Sequence, residues 1–314
     1  MSDVIGPESD RSSLKRIWAS DLMWSFRNAP VAICSAIILS ILVLSALVTP
    51  LIAPYNPFDP STLDLMNGFS KPFEKNEFTG DLFWLGADDQ GRDVFSTILY
   101  GLRVSLFVGF LAVLLAMAIG IVLGLIAGYA GGITDTIIMR IADVQLTFPS
   151  ILIAMFIFGI AKGITPIELR DQMAIWVLIL SIGLSDWVQF ARVIRGATLV
   201  ESNKDYVQAA RIIGRSSTAI MFRHILPNVV SPILVIATIS LALAIITEAT
   251  LSFLGVGAPP TQPSLGTLIR IGQGFLFSGE WWILLFPALT LLFLALSVNL
   301  LGDWLRDALN PRLR

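Results

Sequence analysis

Six runs of mostly apolar residues, each bounded by charge, proline or glycine, divide the chain: Val31–Val48, Val104–Tyr129, Leu146–Ala161, Ala174–Val193, Val229–Leu254 and Trp281–Leu301. A helix needs about 20 such residues to cross hydrocarbon. The pattern therefore predicts an all-α polytopic membrane protein with six transmembrane helices. The third run reaches that length only with Asp143, Val144 and Gln145 included.

Composition agrees with this reading. Of the 314 residues, 55% are hydrophobic and 14% charged, at a mean hydropathy of +0.78. A soluble domain carries about 25% charged residues, so one aqueous core of this composition would lack polar material to cover it. The formal charge of −2, with Lys and Arg scattered along the chain, provides no basic face for nucleic acid. The single cysteine, Cys34, lies in an apolar run, where a thiol is expected to pack as a small hydrophobe.

Residues 1–30 place acids before bases and lack a small-residue cleavage site, so they read as a tail and not a cleaved signal. Leu14, Ile17, Trp18, Leu22 and Trp24, interleaved with charge, suggest a helix on the membrane surface. With the N-terminus inside, 14 of the 21 Lys and Arg fall on the inner side. That bias puts both termini in the cytoplasm. The expected order is a cytoplasmic tail (1–30), a first span (31–48), a Pro- and Asp-rich periplasmic segment (49–103), a five-span core (104–301) and a cytoplasmic tail (302–314). The core holds one long cytoplasmic connection, 194–227, and long loops on compact proteins usually carry function.

Within that connection, Ser202 and Asp205 have the spacing of a capping box. Tyr206, Ala209, Ala210 and Ile213 follow at helical intervals as one apolar stripe. Gly214 sits where a left-handed turn ends a helix. Ser216 or Ser217 can start a second short helix, which Pro227 stops. Such an elbow either docks on a partner or packs on the protein's own inner face or lipid headgroups; the spacing admits both.

The stretch Asp205-Tyr-Val-Gln-Ala-Ala-Arg-Ile-Ile-Gly214, followed by Phe222-Arg-His-Ile-Leu-Pro227, resembles the EAA loop of permease subunits in bacterial ABC importers. Gln208 stands where Glu is usual, and His224 where the pattern has Ile. Leu85-Gly-Ala-Asp-Asp-Gln-Gly-Arg-Asp93, Met139–Asp143, Glu248–Gly255 and Asn299–Arg314 are similar to the dipeptide, oligopeptide and nickel permeases, on the C-type side of the pair. The resemblance implies a type I ABC importer permease in the bacterial inner membrane. It also implies a second homologous permease, two cytoplasmic ATPase subunits or domains, and a periplasmic solute-binding protein that delivers di- or oligopeptides, or nickel or another small solute. Tyr206, Gln208, Ala209, Ala210, Gly214, Leu226 and Pro227 would form the ATPase-coupling surface, and Leu85–Asp93 would meet the sister permease or the binding protein.

No phosphate loop of the form G-x-x-x-x-G-K-[ST] occurs in the sequence, so ATP and Mg are expected on partner subunits, with no catalytic residue, metal or cofactor in this chain. Ala116, Gly120, Gly124 and Gly128 form a small-residue face for close packing against another span or the sister subunit. Pro149 and Pro287 are expected to interrupt spans three and six. Asp186 and Glu248 are charges inside spans and so candidates for a pathway or gate. Structural roles, a polar seam around Asp186 and an interfacial acid at Glu248, stand beside that reading. An intramembrane hydrolase would need a serine–histidine pair in the bilayer, but the one histidine, His224, lies in the inner loop. A secondary transporter would predict internal repeats, and none is evident.

Overall fold

The computed structural model describes residues 21–54, 56–59, 63–76 and 79–308. The expected surface helix falls partly outside them; the described portion is α1, Asp21–Arg27. It is followed by α2 (Pro30–Leu47), α3 (Val94–Ala130), α4 (Gly132–Leu146), α5 (Ser150–Ile164) and α6 (Arg170–Glu201). Then come α7 (Asp205–Ile212), α8 (Ser217–Ile220), α9 (Val230–Phe253), α10 (Leu265–Gln273) and α11 (Trp282–Ala308). Five helices are each long and apolar enough to cross a membrane, and α4 with α5 makes a sixth crossing only as a pair bent by 95°.

That bend corrects the expected third span, Leu146–Ala161. Asp143, Val144 and Gln145 do not extend it but end α4, a separate helix held to α6 by polar side chains. Asp135 forms a two-pronged ion pair with Arg195, and Asp143 pairs with Arg192. Gln145 Nε2 donates to the carbonyls of Leu184 and Ser185, at 3.0 and 2.8 Å, and its Oε1 accepts from Trp187 Nε1 at 2.9 Å. Pro149 lies at the break between α4 and α5. It precedes α5, where a proline costs no helical hydrogen bond. Pro287 does lie inside α11.

The spans are also longer than their apolar cores. Helix α3 begins ten residues before the expected Val104, because Asp93 caps it: the carboxylate accepts from Ser96 N at 2.8 Å and from Ser96 Oγ at 2.6 Å. Helix α6 runs on to Glu201, so the inner connection starts at 202 and not 194. The expected tail residues 302–308 continue α11. Phe26 of α1 packs edge-on against Trp304 there, ring centroids 5.0 Å apart. Cys34 is exposed on α2 instead of packed.

Helices α3 and α6 form the centre of the chain, and glycine makes their closeness possible. A methyl group on Gly120 would lie 2.3 Å from Phe190 Cβ; on Gly124, 2.7 Å from Ala191 O; on Gly128, 2.7 Å from Thr198 Cβ. The face therefore packs on another span of this chain, where any side chain would force the backbones apart. Around it lie Leu125, Leu178, Ile182, Phe190 and Ile194, all essentially buried.

Candidate functional site

The connection from α6 to α9 folds as the expected elbow, with a different start. Ser202 does not cap α7. It still belongs to the end of α6, where its Oγ donates to Leu199 O, and Lys204 precedes α7 without a side-chain cap. Gly214 takes φ +80°; its N–H donates to Arg211 O and that of Arg215 to Ala210 O. This pair of bonds closes a helix through a left-handed residue, which glycine adopts without strain. Ser216 Oγ then accepts from Ala219 N at 3.4 Å and starts α8. The chain widens into a looser turn at Met221–Ile225 and tightens through Leu226–Asn228, with Pro227 exposed.

The two faces of α7 divide differently from the expected stripe. Val207 and Ala210 turn inward, with Ile220 and Ile225 of the second arm. Arg211 stacks over the Tyr129 ring at 4.7 Å, fixing α7 under the end of α3. Ala209 and Tyr206 remain exposed, and Ile212 and Ile213 are 86% and 78% exposed. Two isoleucines at the tip of an elbow, left open while Val207, Ala210, Ile220 and Ile225 are buried, form an exposed apolar knob.

A polar joint fixes that knob to the spans. Tyr206 Oη donates to Glu201 Oε2 at 2.5 Å, and Asn228 Nδ2 donates to Tyr206 Oη at 3.2 Å and to His224 O at 2.7 Å. The end of α6, α7 and the approach to α9 thus share one phenol. Burial, followed by the adjacent Glu201, pushes the Tyr206 pKa up to about 12, so the hydroxyl keeps its proton and its donor role at neutral pH. Gln208 Nε2 donates to Ser202 O at 3.1 Å. A glutamate there could not make that bond, because a carboxylate only accepts. Sequence reasoning does not single out Glu201 and Asn228; their partners are fixed only by the fold.

At the other end of the same spans, Glu248 is fully buried. Its carboxylate accepts from Ser105 Oγ and Ser252 Oγ, both at 2.7 Å. Ser105 Oγ accepts from Leu265 N, and Ser252 Oγ from Ala258 N. One acid therefore ties α3, α9, α10 and the intervening loop, and it neither snorkels nor opens to a channel within this chain. Asp186 lies half-buried in α6 beside the Gln145–Trp187 seam, while Gln189 is exposed.

The segment Leu85–Asp93 is a compact turn. Asp88 and Arg92 form a buried ion pair at 2.6 Å, and Asp88 also accepts from Gln90 N and Arg92 N. Burial pushes the Asp88 carboxyl up, and Arg92 only partly offsets it. Trp282 Nε1 donates to Ala87 O at 3.1 Å, which seats the turn on α11. No group of three metal-ligating side chains occurs among the described residues.

Comparison with known proteins places this geometry. Residues 17–72 match the family described as the N-terminal TM domain of oligopeptide transport permease C. The dipeptide transport system permease protein DppC of Haemophilus influenzae is 36% identical over 100% of both chains. The oligopeptide transport system permease protein OppC of Bacillus subtilis is 36% identical over 95% of this chain and 90% of its own. The glutathione transport system permease protein GsiD of Pectobacterium atrosepticum is 36% identical over 99% and 95%. A solved inward-facing structure of the MetNI methionine ABC transporter has the same fold, with a TM-score of 0.52 at 17% identity over 68% of this chain and 96% of that one. The architecture is that of an ABC importer permease, a transport component and not an enzyme. With residues 120–314 matching the family model as well, the chain belongs to the binding-protein-dependent transport system inner membrane components.

Proposed function

We propose that this subunit forms, with a second homologous permease, the membrane pathway of an ATP-driven importer for peptides delivered by a periplasmic binding protein. The cargoes that its relatives' names carry are dipeptides, oligopeptides and glutathione, which favours a peptide over nickel. Two ATPase subunits or domains dock under the elbow and hold the ATP and Mg, none of which this chain binds itself. Both termini then face the cytoplasm, and the Leu85–Asp93 turn faces the periplasm. When the ATPases close, the knob moves with them and the Tyr206 joint passes the motion to α6 and α9.

The observation that carries this reading is the exposure of Ile212 and Ile213 at the tip of an elbow that buries Val207, Ala210, Ile220 and Ile225. In proteoliposomes holding both permeases, the ATPases and a peptide-loaded binding protein, Ile213→Asp is expected to abolish ATP-dependent peptide uptake and weaken ATPase co-purification. The unfolding temperature should stay unchanged, since the side chain is open to solvent in this chain. Unimpaired uptake by that variant would overturn the docking role.

A further inference from the structure

Opposite the elbow, a cavity of about 110 Å³ opens between the end of α5, the start of α6, α10 and the loop after α9. Lys162, Arg170 and Arg270, from three different helices, line it together with one acid, Asp171. No carboxylate lies within 4.0 Å of any of the three cations among the described residues. Arg170 spends one N–H on Thr165 O, at 3.2 Å, and keeps the rest of its donor fork.

The site is shaped as well as charged. Gly255 takes φ +80°, and a methyl group there would lie 2.8 Å from Arg270 Nη1, so the guanidinium rests against bare backbone. The loop that forms this wall is pinned from behind. Ala258 N donates to Ser252 Oγ, a partner of Glu248, and Thr267 Oγ1 donates to Ala258 O. Glu248 is therefore a positioning residue for this wall. The remaining walls are apolar, from Phe158, Val177 and Pro259 among others. Three cations against one acid in a half-apolar cleft leave a place for an anion with two acceptor oxygens, the geometry a guanidinium fork matches best. A cavity of this volume admits a carboxylate and its nearest atoms.

We infer that this cavity receives the C-terminal carboxylate of the transported peptide at the outer mouth of the pathway. The inference rests on the importer reading above. It deepens that reading by giving this chain a substrate contact on the delivery side, at the far end of α6 from the ATPases. The remainder of the peptide, its α-ammonium included, lies outside the cavity and away from the three cations, so side-chain identity is not read here.

The test uses the complete importer in proteoliposomes, with binding protein saturated by either Ala-Phe or its C-terminal amide, in zwitterionic vesicles and in vesicles containing phosphatidylglycerol. Arg270→Gln and Arg170→Gln are expected each to lower uptake of the free acid about tenfold, the scale of one charge-assisted contact. Amide uptake should be unchanged in both lipids, and Arg270→Lys should recover part of the loss. Equal loss for acid and amide would make the cations structural and overturn the inference, as would no loss for either. A loss confined to phosphatidylglycerol vesicles would reassign the site to a phospholipid phosphate and overturn it too. Wild-type importer that moves neither compound would instead sink the importer reading.

Discussion

Two glutamates, Glu201 at the elbow and Glu248 at the opposite end of the spans, perform the same act under different conditions. Each carboxylate accepts from a hydroxyl group: Glu248 thereby joins helices distant in sequence, and Glu201 joins α6 to the next helix, α7. Glu248 has no access to solvent and depends on buried serine hydroxyls, Ser105 and Ser252 among them. The Glu201 side chain keeps 11% exposure and has Lys204 beside it, at 2.6 Å. A buried polar group without its partners loses the full cost of desolvation, whereas one near water is rescued by it. The buried knot is accordingly a structural commitment, and the elbow joint can bend and re-form.

The sharpest way to break that comparison is to truncate both acids. Glu248→Ala leaves the O–H groups of Ser105 and Ser252 without their acceptor and a cavity between three helices, and should cost about 2–4 kcal/mol. In detergent this appears as a drop of several degrees in unfolding temperature and a lower yield of inserted protein. Glu201→Ala should cost less than half as much, because water reaches Tyr206 and Lys204. Equal losses would erase the distinction between a fully buried tie and one at the edge of solvent.

A milder change separates stability from coupling. Tyr206→Phe removes one donor to Glu201 and one acceptor for Asn228 while keeping the ring, so about 0.5–1.5 kcal/mol is expected. Uptake per ATP hydrolysed should fall several-fold, since the joint that carries the elbow's motion has lost its pin. The pH dependence has a definite sign. The phenol's pKa rises from 10.0 to about 12 on folding, so its contribution is complete below about pH 10 and fades as pH climbs towards 12. Coupling should therefore be insensitive to Tyr206 ionisation across neutral pH. A wild-type coupling ratio that collapses between pH 7 and 9, and does so only when Tyr206 is present, would contradict the assignment.

What the sequence discloses and withholds follows from the range of each interaction. Apolar runs locate the spans because the bilayer acts on each run separately, and Gly214 is legible because a left-handed turn is a local demand. The bend before α5 is not, since it depends on Asp135 and Asp143 meeting arginines on α6, far along the chain. The α7 stripe misleads for a related reason. Periodicity marks apolar positions but not which of two overlapping faces finds a partner, and the contact of Arg211 with Tyr129 decides for Val207 and Ala210. The Glu248 ties and the cluster of Lys162, Arg170 and Arg270 assemble residues from three or four helices, which no window along the sequence brings together.

The smallest expected effect lies at Gln208, the position where the resembling loops carry glutamate. Its amide donates to the Ser202 carbonyl, at the last turn of α6. Gln208→Glu keeps the length but turns the donor into an acceptor facing a carbonyl oxygen, so the link is lost and weak repulsion replaces it. The residue is half-buried, so water can satisfy both oxygens, and the cost should be no more than about 1 kcal/mol. If the elbow is set by the Tyr206 joint and the Gly214 turn, uptake should change less than about twofold, which is below the scale of a single lost hydrogen bond. If instead the ATPase surface opposite holds a cation that seeks a carboxylate, the same variant will bind the ATPase more tightly and its affinity will fall steeply with salt. Titrating ATPase binding against ionic strength for the wild-type chain and the Gln208→Glu variant side by side thus decides between shape and charge at the proposed docking surface.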